Sequence, residues 1–218
     1  MKKNTFCFLF ILLSASLNAQ VRGSANLGVY RHTDFQNSGY IQGGLGLDVK
    51  VFKFLKPDFN VTYYYGKLED HNTVNASGIV TSTSNIDASA LNFGFSPKIC
   101  LNSSEDGAGD AILQILPMYN ISRIEAHGNY ATINPNNQNQ ILTTNKTATE
   151  WQHSIGIGAG VDIMLSDVTY DSLAINLYYT GVDMGKAMNN VSKSENRYDS
   201  RTLGLGLNYY LGFKKRKE

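Results

Sequence analysis

Between Leu203 and Phe213 the side chains change character at every step. Leu203, Leu205, Leu207, Tyr209, Leu211 and Phe213 are large and apolar, while Gly204, Gly206, Asn208, Tyr210 and Gly212 stand between them. Successive side chains of a strand point to opposite faces, so the segment shows one greasy wall and one small or polar wall. A chain that repeats this pattern can hide the greasy wall inside a soluble barrel or turn it outward into lipid. Beyond the first twenty residues no stretch approaches the ~20 consecutive apolar residues of a membrane helix, so any crossing must be made by strands. Glycine on the small wall, and the narrow interior of an eight-stranded ring, favour bulky residues outward.

The chain opens with an export address. Lys2 and Lys3 precede the apolar run Phe6 to Leu13, and Ala19 supplies a small residue for cleavage, so residues 1–19 read as a secretory signal. Without them Cys100 is the single cysteine, and no intramolecular disulfide can form. Charged residues make up 17% of the chain, against roughly 25% in soluble proteins, which suits a surface largely in lipid. Six of the 19 basic residues are Lys2, Lys3, Lys214, Lys215, Arg216 and Lys217 at the two ends. The span between is mildly acidic, unlike a nucleic-acid-binding surface. The domain reading is therefore a signal over 1–19, a barrel over 20–213 and a basic tail over 214–218.

Alternation read against turn residues gives eight strands, near 21–32, 40–51, 58–68, 87–101, 111–126, 150–165, 172–182 and 201–213. Each is longer than the ~9–11 residues a tilted strand needs to cross the hydrocarbon. Connections after strands two, four and six are compact: Phe52–Pro57, Asn102–Asp110 and Ser166–Asp171. Those after strands three, five and seven are long and polar, as in Glu69–Ile86 and His127–Thr149. Short turns on one side and long loops on the other describe an all-β, eight-stranded, antiparallel up-and-down transmembrane barrel, with both termini on the short-turn, periplasmic side. Strand five alternates poorly, and Pro117 within it predicts a bulge or local break.

On this architecture and the signal ending Asn18-Ala19-Gln20, the chain resembles the small eight-stranded outer-membrane barrels of the OmpA-like and OmpX-like superfamily, most of all the Bacteroidetes-type versions. The resemblance implies an integral outer-membrane protein. It also implies outer-membrane lipid as surroundings and the barrel-insertion machinery as a partner during biogenesis. Such barrels end on an aromatic residue. Phe213 matches, but the basic tail follows it.

Facing assigns Leu27, Val29, Leu45, Leu47, Val61, Phe93, Ile155 and Leu177 to lipid. Trp151, Tyr65 and Tyr179 are the interfacial aromatics. Inward, Tyr30, Tyr64 and Tyr178 sit on odd-numbered strands. Their even-numbered neighbours offer Gly44, Gly46, Gly94, Gly156, Gly158, Gly160, Gly204 and Gly206, an arrangement that packs the lumen. Nearer the short turns the inward residues become charged: Arg22, Asp48, Lys50, Lys98 and Asp162, with Asn176 and Asn208. Buried charges persist when paired, so these five form a candidate lumen charge network. The functional reading is non-enzymatic, structural or adhesive, with ligands or surface partners met through the long loops. The reading names no catalytic residue, no metal site and no cofactor. Two alternatives remain open. One is a lipid-modifying enzyme using His153 with a hydroxyl and an acid such as Glu150. The other is a secreted lipocalin-like barrel with an apolar interior.

Overall fold

The computed structural model describes residues 20–33, 38–102, 111–166, 168–179, 182, 184–191 and 202–213. The signal over 1–19 and the basic tail over 214–218 lie outside the described residues. Eight antiparallel strands close into one barrel in sequence order. They are β1 (Gln20–His32), β2 (Gly39–Lys50), β3 (Leu55–Val74), β4 (Val80–Cys100), β5 (Ala111–Asn134), β6 (Asn137–Met164), β7 (Ser172–Tyr179) and β8 (Thr202–Gly212). Closure is made by β1 against β8, with Asn26 opposite Asn208 and Tyr30 opposite Gly204. A closed ring leaves the membrane-spanning part without an unpaired sheet edge, which a bilayer does not tolerate.

The two walls sort as their chemistry requires. Leu27 and Leu45 are 69% exposed and Ile155 is 79% exposed, whereas Asp48, Lys98 and Asn176 are fully buried. This is the reverse of a lipocalin-like barrel, whose greasy residues would line the interior. Trp151, Tyr65 and Tyr179 point outward, and Phe52 and Phe54 stack at 5.6 Å in the hairpin turn between β2 and β3. Cys100 is a free, buried thiol. β5 alternates cleanly, with Ile112, Gln114, Leu116, Asn120, Ser122, Ile124 and Ala126 inside. Its ladder to β4 lapses between Phe95–Tyr119 and Ile99–Ile115 with the register unchanged. Pro117 thus gives a local break without a bulge, while its pairing with Ile157 of β6 continues.

Two expected loops are not loops. Glu69–Ile86 continues the β3–β4 ladder up to Val74 and Val80, and turns at Asn75, whose side chain accepts from the amides of Ser77 and Ile79. Gly78 sits in this turn at φ 77°, a conformation glycine adopts without strain. His127–Thr149 likewise continues β5 and β6 to Asn134 and Asn137. Residues 72–80 and 135–147 are exposed, which makes their polarity expected, while Ile86 and Tyr130 are still buried, and polarity alone does not end a strand. Thr73, Val74, Val80 and Thr81, and Thr132, Ile133, Ile141 and Thr143, are β-branched residues that favour extended backbone. β4 and β5 stay paired as far as Ser82 and Thr132, so β3 to β6 form a four-stranded sheet rising beyond the barrel.

After β7 the chain forms a short helix, α1 (Gly185–Val191). Met184, Ala187, Met188 and Val191 are fully or almost fully buried in one apolar cluster with Tyr30, Tyr40, Tyr64, Ile86, Ala88, Ala90, Ile124 and Ala126. Those partners are inward residues of β1 to β5, so α1 sits in the barrel mouth on the long-hairpin side. Ala88, Ala90 and Ala126 are small, which leaves room for two methionines. Methionine fills irregular gaps well. Tyr130 Oη donates to the Val191 carbonyl at 2.5 Å, and Asn190 Nδ2 donates to Glu150 at 2.7 Å, fastening the helix to the rising sheet.

Candidate functional site

The lumen is built in layers, each set by strand parity. At the short-turn end lies the charged layer. Arg22 donates from Nε to Asp48 at 3.0 Å, from Nη2 to Asp162 at 3.3 Å and from Nη1 to Ser172 at 2.8 Å. Lys98 forms an ion pair with the second oxygen of Asp48. Of the five residues expected to meet, Arg22, Asp48, Lys98 and Asp162 do so. Lys50 is half-buried at the rim, lining a small recess with Gln20, Arg22, Lys56, Met164 and Tyr170.

Three further members escaped the sequence reading. Tyr210 is fully buried, with Lys98 Nζ at 4.0 Å and Arg22 Cζ at 4.4 Å from its ring centroid. Two cations against one ring are favourable because the face of the ring carries negative charge. Asp58 accepts from Tyr210 Oη at 3.3 Å and from Asn60 Nδ2 at 3.2 Å. Lys56 is 3% exposed. Lys56 was assigned to the turn Phe52–Pro57, but it shares the parity of Asn60, Thr62 and Tyr64. Asp58 already opens strand three at inward parity, and carrying its alternation back by two residues finds Lys56.

Above the charges come carboxamides. Gln114 donates to Asn176 at 2.7 Å, Asn92 to Asn120 at 3.0 Å and Gln42 to Asn26 at 2.9 Å. Asn176 and Asn208 also donate to Tyr178 Oη. Next lie the tyrosines: the Tyr30 ring is 5.3 Å from Tyr64, edge-on, and 6.1 Å from Tyr178, stacked. The glycines expected beside them are there, since a Cβ on Gly204 would run into the Tyr30 ring and one on Gly206 into Tyr178. Between carboxamides and tyrosines remains a cavity of about 40 Å³, enough for one or two waters.

The enzyme alternative needs His153, a hydroxyl and Glu150 together. His153 faces outward, where its Nδ1 lies 2.7 Å from Tyr119 Oη. Glu150 lies on the opposite wall of β6 and accepts from Asn190. Side chains three residues apart on a strand point to opposite faces, so these two do not converge.

No family model matches the chain, and no curated protein sequence is significantly similar to it. Among solved structures it is similar to Neisserial surface protein A at 8% identity, over 89% of this chain and 97% of that one, with a TM-score of 0.44. It is also similar to Ail, the attachment invasion locus protein of Yersinia pestis, at 8% identity over 89% and 97%, TM-score 0.40. A third is Acinetobacter baumannii CarO2, at 11% identity over 88% and 98%, TM-score 0.42. Likenesses this distant say nothing of ligands or partners, and the architecture rests on the chain's own strand order and facing. With eight antiparallel strands closed in sequence order, an apolar outer wall and a polar packed interior, the chain has the fold of a small eight-stranded transmembrane β-barrel.

Proposed function

We propose that this is a non-enzymatic outer-membrane protein with a lumen closed to solutes. In this reading the sheet formed by β3 to β6 stands outside the cell as a structural or adhesive surface, and both termini lie in the periplasm. One observation carries it: β5 and β6 run 24 and 28 residues, more than twice the ~9–11 that a tilted strand needs to cross the hydrocarbon. Residues 137–147 are exposed throughout, so the excess length is built for water. Surface loops on a rigid scaffold are where binding function concentrates.

Cysteine labelling on intact cells tests the orientation. Cys100 is buried, so the wild-type barrel supplies little background. Asn139→Cys, at the β5–β6 tip, is expected to react with an impermeant maleimide on whole cells. Lys53→Cys, in the short β2–β3 turn, is expected to react only after the outer membrane is opened. The opposite order would reverse the topology. The interaction role is tested by shortening the hairpin between Ala131 and Thr143, which spares Tyr130: the barrel should still fold and lose its attachment to host or abiotic surfaces, and unchanged attachment would remove that role.

The closed lumen has its own test. Two aromatic rings packed on Tyr30, the carboxamide and charge layers below it and α1 above it support a barrel without a water-filled path. Purified protein in planar bilayers is expected to show no steady single-channel steps. Reproducible steps of constant size would move the reading toward a small porin.

A further inference from the structure

Every member of the charged layer but one has a hydrogen-bond or ion-pair partner, although Asp162 Oδ1 is left without one. Asp48 is engaged by Arg22 and Lys98, Asp162 by Arg22, and Asp58 by Tyr210 and Asn60. Lys56 is 97% buried on the same scale, 3% exposed, and among the described residues it makes no hydrogen bond or ion pair. Its register neighbour on β4 is another cation, Lys98. Asp48 faces Asp58 across β2 and β3, and continuing that register brings Lys50 opposite Lys56. Three inward lysines therefore form one row on adjacent strands. Asp48 lies near enough to act on Lys56, but it already serves Arg22 and Lys98, and a row of like charges without a counter-charge of its own is costly.

The recess beside Lys56 has a matching character. It is lined by Gln20, Arg22, Lys50, Lys56, Met164 and Tyr170, three cations and no carboxylate. Gln20 opens β1, Lys50 closes β2, and Tyr170 belongs to the β6–β7 turn, so the recess lies at the short-turn mouth. Its volume of about 10 Å³ is that of one water-sized group.

We propose that this recess is an oxyanion site, taking one terminal oxygen of a carboxylate or phosphate group whose remainder lies outside the barrel. Lys56 supplies the buried charge at its floor, Lys50 closes it from the rim, and the Arg22 guanidinium adds field without leaving Asp48. A small free anion and an anionic lipid headgroup carry the same chemistry, and the test separates them.

Full-length mature barrel, refolded in zwitterionic nanodiscs, is titrated with inorganic phosphate or acetate against chloride at matched ionic strength. The expected result is a saturable rise of several degrees in the thermal unfolding midpoint. A rise found only when phosphatidylglycerol replaces part of the zwitterionic lipid assigns the site to a headgroup, and supports it equally. Lys56→Met keeps the length of the side chain and removes its charge. It is expected to abolish the response while unfolding no earlier than wild type without anion. Lys53→Met, outside the recess, is expected to keep it. Absence of any saturable response from both sources, or an undiminished response in Lys56→Met, overturns the proposal. Should Lys56→Met fail to refold, the Lys56 side-chain resonance in selectively labelled wild-type protein decides: it shifts on anion addition if the site exists and stays fixed if it does not.

Discussion

Gly204→Leu is expected to leave the chain unable to reach its folded form, while Leu205→Ala, one residue on, folds almost as wild type does. Gly204 faces the lumen directly opposite Tyr30, and even a Cβ there would overlap the Cδ1–Cε1 edge of the ring. Tyr30 cannot swing away, because Tyr64 meets its edge at 5.3 Å and Tyr178 stacks on it at 6.1 Å. Overpacking a filled interior typically costs about 1–3 kcal/mol and sometimes more. Here a whole ring and its two neighbours must move. Leu205 is 45% exposed on the outer wall, so truncation there opens no cavity. Leu205→Arg is the third arm, and an arginine near the midplane of a barrel's lipid face costs roughly 2–4 kcal/mol. The check is the heat-sensitive gel shift of refolded protein together with the urea unfolding midpoint. A folded band for Gly204→Leu, or greater damage from Leu205→Ala, would invert the wall assignment.

Asp48→Asn is expected to lower stability more than any other change of one charge in the lumen. Asp48 is fully buried and serves two cations, taking Arg22 Nε at 3.0 Å on one oxygen and Lys98 on the other. Asparagine preserves the shape and removes the charge, leaving Arg22 with Asp162 and Lys98 without its ion-pair partner. Removing one partner of a buried pair costs about 3–5 kcal/mol, less where water enters. Asp162→Asn is milder, since Arg22 keeps Asp48 and Ser172. The double variant Asp48→Asn/Lys98→Met is expected to recover part of the loss, because a cation leaves together with its counter-charge. Equal urea midpoints for Asp48→Asn and wild type would mean that water, not Asp48, neutralises this layer.

Both variants probe features of different visibility. The Gly204–Tyr30 contact could be foreseen because both partners follow from parity, and neighbouring strands of an up-and-down ring are neighbours in sequence or the first and last. The Arg22–Asp48 pair lies on adjacent strands and was legible for the same reason. Lys56, Asp58 and Tyr210 were not. Lys56 falls in what reads as a turn, Asp58 only opens strand three, and the ring of Tyr210 meets Arg22 and Lys98 only through barrel closure and the inward lean of long side chains. Pro117 was correctly a weak point, but only the register of β4 against β5 shows a lapse in the ladder with no inserted residue.

What the sequence by itself determined is which side chains meet lipid and which meet the interior. That choice is local: alternate residues face opposite ways, and hydrocarbon and a narrow packed lumen demand opposite chemistries. Tertiary structure alone decided how far the strands run and what enters the mouth. At the hairpin ends, residues 72–80 and 135–147, both faces of the strands are exposed, so they carry no alternation to announce a strand, and only the hydrogen-bonded ladder defines them. α1 is equally silent in sequence, because seven residues are too few to show a helical period. Its helix exists because Met184, Met188 and Val191 find the apolar mouth that five separate strands close around them.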